Sequence, residues 1–162
     1  MSILRNAMLG AMAGAAGTTV LDVVSYVDMA IRGRAPSELP VNTLRSIASR
    51  FGSELGKPPA ELDERLRNRQ SALAALLGYA DGFASGAIFG IVRPATRNVS
   101  VFSAGVGLAV LTMLLSEGLA TALGQTDPRK WGVSGWLADL IPRCAYGWTT
   151  CTAFDLMAPP SE

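Results

Sequence analysis

Residues 99–123 read VSVFSAGVGLAVLTMLLSEGLATAL, a stretch whose one charged side chain is Glu117. A helix rises 1.5 Å per residue, and about 20 residues cross the roughly 30 Å hydrocarbon layer of a bilayer. From Val99 through Ser116 no side chain carries a charge, so this helix has no charged face to present to water. The stretch predicts a transmembrane helix, and it sets the terms for the rest of the chain.

Three more apolar stretches fit the same length. Residues 7–31 are uncharged as far as Leu21, residues 71–92 contain only Asp81, and residues 132–157 hold Asp139, Pro142, Arg143 and Asp155. The expectation is an all-α, polytopic membrane protein with four transmembrane helices, about 7–31, 71–92, 99–123 and 132–157, in a single membrane domain over residues 1–162. The alternative is a soluble bundle of four hydrophobic helices, which the lack of a broad charged face on any of them disfavours.

Composition agrees. The chain has 162 residues, the length of one domain. Only 17% are charged, against about a quarter in soluble domains, and the mean hydropathy is +0.30. Disorder is excluded. A net charge of +1 gives no basic footprint for nucleic acid. With no histidine, imidazole catalysis and imidazole metal ligation are excluded. Cys144 and Cys151 fall in one expected helix, too far apart along it for a disulfide, and read as small apolar packing residues. No metal and no cofactor is expected. The N-terminal apolar run, preceded only by Arg5, outlasts a signal peptide and reads as a retained anchor.

Charge concentrates in the link 32–70, which carries Arg32, Arg34, Arg45, Arg50, Lys57, Arg65, Arg67 and Arg69, while the third link adds Arg129 and Lys130. The other side has Arg5, Arg93 and Arg97. Positive charge collects on the cytoplasmic side, so a multi-pass protein of the cell inner (plasma) membrane is expected, with link 32–70 in the cytoplasm and both termini outside. Within that link, Gly33 and Pro36 stop the first helix and Pro40 can start a short one. Val41, Leu44, Ile47 and Phe51 then recur at helical spacing. Such a helix either lies among lipid headgroups, with Arg45 and Arg50 on anionic lipid, or caps the bundle. After Pro58-Pro59, a charged helix from Ala60 to Gln70 is expected to run unbroken into the second span.

Gly78, Gly82, Gly86 and Gly90 repeat every fourth residue in the second span, and Gly10 and Gly14 begin a shorter series in the first. Small residues four apart make a flat face on which another helix can pack closely, a main source of association in lipid. These six glycines are the expected helix-packing positions, whether within the chain or, as a glycine zipper, between copies.

Ionisable groups deep in a membrane face a bundle interior or a wet cavity. Asp22, Asp81, Glu117, Asp139 and Arg143 are expected to form an intramembrane polar cluster. Glu117 and Asp139 share a depth, and Asp139 precedes Arg143 by four, the favourable order for a helix ion pair. One arginine cannot neutralise four acids. The cluster is therefore either a hydrogen-bond network that fixes the helices or a path for protons or cations. Aspartates 22 and 81 lack the flanking motifs of intramembrane proteases, and no other catalytic motif is present, so no enzyme is expected.

The run GRAPSELP (33–40) together with LGYADGFASGAIFG (77–90) resembles a group of small membrane proteins common in actinobacteria. That group has a glycine-arginine-proline-serine turn after the first span, here Gly33, Arg34, Pro36 and Ser37, and a glycine-rich second span, here Gly78 to Gly90. The resemblance covers the first 90 residues and implies topology and host class, with no activity attached. The leading expectation is a structural or accessory component of a membrane assembly, with membrane lipids and either copies of itself or a larger complex as partners. The alternative is a small oligomeric channel or transporter with an acidic path for protons or cations.

Overall fold

The computed structural model describes residues 2–130 and 132–158. Five α-helices carry the fold: α1 (Ile3–Arg32), α2 (Leu39–Arg50), α3 (Glu64–Val92), α4 (Val101–Ala122) and α5 (Val133–Met157), with short 3₁₀ turns in the links after α2, α3 and α4 and no strand among the described residues. Three are long and apolar enough to cross a membrane: Ile3–Arg32, Glu64–Thr96 (α3 with the turn that follows it) and Val101–Ala122. At 25 residues α5 falls within their range of lengths, but Asp139, Arg143 and Asp155 dilute its apolar character.

Helix ends follow from local chemistry. Ser2 Oγ accepts from the Arg5 amide, Asp63 Oδ1 from the Leu66 amide at 2.7 Å, and Ser100 Oγ from the Ser103 amide at 3.1 Å. Each satisfies an amide that the first turn leaves orphaned. Gly33 ends α1 in the left-handed region, φ +61°, where a side chain is disfavoured. The helix expected from Ala60 starts later. Pro59–Glu61 forms only a 3₁₀ turn, Leu62 is extended, and the Asp63 cap opens the α-helix, which then runs unbroken through Gln70 into the apolar part.

In the packing, α1 lies along both α3 and α5, and α4 lies along α5, while α3 and α4 touch little. α3 and α5 also meet through side chains. Phe89 and Phe154 pack edge to face with centroids 6.0 Å apart, beside a small core of Ala13, Phe154 and Ala158. At one end, Arg32 Nη2 donates to Ser134 Oγ at 2.7 Å, joining the end of α1 to the start of α5. At the other, Arg93 meets Asp155, and Arg97 donates to the Ala158 carbonyl. The links 33–63 and 123–132 therefore share one end, and the 93–100 link shares the other with the end of α5.

The outer surface is apolar. Met12, Val23, Leu76, Phe83, Ile88, Leu114 and Ile141 are all exposed. Soluble monomers rarely show contiguous apolar surface beyond a few hundred Å², whereas hydrocarbon accepts it without cost. Together with the three long apolar helices, this makes the chain a membrane protein.

α2 folds back on the start of α3. Thr43 is buried and Val41, Leu44 and Ile47 are half-buried. Phe51, expected on the same face, is 84% exposed. The helix ends at Arg50, so Phe51 no longer follows its register. Behind α2, buried Gln70 pins the loop by donating to the carbonyls of Leu55 (2.8 Å) and Lys57 (3.2 Å).

Candidate intramembrane ion cluster

The glycines set the distances between helices. A Cβ built on Gly86 would lie 2.6 Å from the Cα of Gly14, and one on Gly90 would lie 2.7 Å from the Cα of Gly10. Those approaches are shorter than side chains tolerate, so α1 and α3 touch backbone to backbone through Gly10, Gly14, Gly86 and Gly90. Gly82 belongs to the same seam, where its added Cβ would strike Thr18 Oγ1. Gly78 does not. A Cβ there meets nothing within 4 Å, and Gly78 is exposed. A second seam went unread in the sequence. Gly105 on α4 and Gly147 on α5 face each other, and a Cβ on Gly105 would sit 3.0 Å from the Trp148 Cα. Neither belongs to a repeat, which is why spacing could not reveal them. Trp148 stacks on Phe102 at 5.3 Å and donates from Nε1 to the Phe102 carbonyl at 3.2 Å.

The α4–α5 seam brings three of the expected polar residues into contact. Arg143 Nε donates to Asp139 Oδ2 at 2.8 Å within α5, and Arg143 Nη2 reaches across to Glu117 Oε1 on α4 at 3.1 Å. Glu117 is 5% exposed, and its second oxygen, Oε2, is buried without a hydrogen-bond partner. Asp81, half-buried on α3, lies within electrostatic range of Arg143 but makes no ion pair with it.

The five-residue cluster is therefore split. Asp22 stands apart from Arg143, and its Oδ2 accepts from Tyr79 Oη at 3.1 Å across the α1–α3 interface. The reason is rotational, since the face of α1 that meets α5 carries Gly17, set against Tyr146 and Thr150, and Asp22 falls to one side of it. Tyr146 itself is buried and donates to the Gly82 carbonyl at 2.6 Å, locking α5 onto α3 between the two arginines of the interior.

The second arginine is Arg93. It is 2% exposed and grips Asp155 through two parallel bonds, Nε to Oδ1 at 3.0 Å and Nη2 to Oδ2 at 2.6 Å. Its Nη1 donates to the carbonyls of Thr96 (3.0 Å) and Val99 (2.9 Å). The sequence placed Arg93 among the basic residues of the outer side and Asp155 in the fourth apolar stretch, and nothing in the spacing of residues this far apart in the chain joins them. Of the headgroup candidates, Arg45 Nη1 donates to Asn42 Oδ1 at 3.0 Å and is half-buried, while Arg50 is exposed. Both cysteines are free on α5.

Compared with family models, curated proteins and solved structures, the chain matches none of them.

Proposed function

We propose that the chain is a four-span protein of the plasma membrane that serves as a structural or accessory component of a membrane assembly. The observation that carries this reading is how the interior is used. Gly82, Gly86 and Gly90 of the ladder are consumed within the chain by the α1–α3 seam, whereas α4 is held from one side by α5. The remaining face of α4 exposes Val110, Leu111, Leu114, Leu115 and Leu119, an apolar strip suited to lipid and to another helix. Small-residue seams and van der Waals packing drive such association where no hydrophobic force acts.

The fourth span rests on charge pairing. A charged residue in hydrocarbon costs roughly 2.5–3.5 kcal/mol on insertion scales. On α5, Asp139 pairs with Arg143 and Asp155 with Arg93, which removes much of that cost. Orientation follows the positive-inside rule. The two basic links share one end of the bundle, and of the three basic residues opposite them Arg93 is spent on a buried ion pair. That puts link 32–70 in the cytoplasm and both termini outside. There α2 lies against the headgroup layer, with Arg50 and Phe51 exposed for it.

Crosslinking through a cysteine at Leu114, which is 66% exposed, tests the assembly in native membranes on a background lacking Cys144 and Cys151. A dimer or a heavier adduct is expected. A probe that never leaves the monomer band refutes the reading. The alternative, an oligomeric channel or transporter for protons or cations, draws its support from one atom, the unpartnered Oε2 of Glu117.

A further inference from the structure

We propose that Glu117 is a proton-binding site inside the membrane, with Oε2 the atom that takes the proton. The groups that face Glu117 are Asp139 and Arg143 from α5, with Asp81 on α3 within the field of Arg143. Three carboxylates share one guanidinium. Arg143 commits Nε to Asp139 and Nη2 to Glu117, so it cannot neutralise both in full, and it has no bond to Asp81.

Geometry selects which acid carries the proton. The side chain of Glu117 is 6% exposed, against 22% for Asp139. Asp81 is half-buried. Burial penalises the charged form most where it is deepest. Only Glu117 among the three has an oxygen sealed from solvent without a donor. Oε2 lacks a partner in either form, but the ionised form alone puts a second full negative charge beside Asp139 on a single buried guanidinium, which is the costlier burial. The neutral acid keeps Oε1 as the acceptor of Arg143 and puts O–H at Oε2, while Asp139 stays ionised and forms a neutral pair with Arg143. Among the described residues no three acidic, cysteine or histidine side chains converge as metal ligands. Asp139, more exposed and six residues (about 9 Å) inside the start of α5, is the group through which the proton exchanges with water.

The test is infrared difference spectroscopy on the full chain in lipid nanodiscs, in H₂O and D₂O, through a pH titration. The expected result is a carboxylic-acid carbonyl band at neutral pH that shifts in D₂O, vanishes in Glu117→Gln and survives in Asp81→Asn. In Glu117→Asp, which keeps a carboxyl at the site, the band should move rather than disappear, so a folding defect in the glutamine variant cannot imitate the result. No such band at neutral pH, or a band that persists in Glu117→Gln and is lost in Asp81→Asn, overturns the assignment. Crosslinking at Leu114 reads assembly without reference to this proton, so the two proposals can fail separately.

Discussion

The interior holds two arginines, and they are served in opposite ways. Arg93, at the end of α3, meets one carboxylate through two parallel bonds and gives its remaining nitrogen to two carbonyls. Charge and hydrogen bonds both close. Arg143, on α5, is divided between two carboxylates with a third in range, and one of the partners keeps a buried oxygen unpaired. A closed site is what a fold needs to fix its helices. An overloaded one stores a choice of protonation state. Arg93–Asp155 is therefore read as a structural clamp, and Arg143 with its acids as the place where the molecule can change.

The sharpest way to break that comparison is to remove each guanidinium in turn. Arg93→Met should cost about 3–5 kcal/mol, because it strands a partly buried carboxylate and two carbonyls. Arg143→Met should cost clearly less, since Arg143 is the more exposed guanidinium, strands no backbone carbonyl, and Glu117 as the neutral acid needs no counterion. Thermal unfolding in a mild detergent measures both, and equal losses would erase the distinction.

Next in size is the seam that holds the Arg93 helix in place. Gly86→Ala drives a methyl into the Gly14 backbone and should destabilise by about 1–3 kcal/mol, as overpacking does. Gly78→Ala, which meets nothing, should be neutral or stabilise by up to about 1 kcal/mol through helix propensity. The same unfolding assay reads this pair, and similar losses at both glycines would mean that the ladder packs along its whole length.

Tyr79→Phe removes the bond to Asp22 on the partly exposed flank and should cost about 1 kcal/mol. Smallest of all is Glu117→Gln, expected within about 1 kcal/mol of the parent protein because an amide keeps the acceptor for Arg143 and resembles the neutral acid. A large loss there would mean that Glu117 is ionised and that the Arg143 cluster is a second clamp.

What the sequence made legible follows the range of each interaction. Helix positions, the glycine face and the Asp139–Arg143 pair are local, written in repeats of three and four residues. The shared depth of Glu117 and Asp139 was also legible, since apolar stretch boundaries locate both. Partner choice across helices was not. It depends on how each helix is rotated, and the rotation of α1 that sets Gly17 against α5 turns Asp22 to Tyr79. The Arg93–Asp155 clamp joins two segment ends 62 residues apart in the chain, where both look like ordinary charges near a boundary. Gly105 and Gly147 escaped because a close approach needs only one glycine on each helix, and single glycines carry no period.

Asp155, the partner of Arg93, and the Asp139–Arg143 pair all lie on α5, so whether α5 crosses the membrane decides where both sites sit. Single cysteines at Ser53, Asn98, Gln125 and Ser161, in a background lacking Cys144 and Cys151, can be labelled from either side of intact cells with a membrane-impermeant reagent. The account predicts that Asn98 and Ser161 react from outside, while Ser53 and Gln125 react only after the membrane is opened. Ser161 protected together with Gln125 would place both ends of α5 on one side and contradict it.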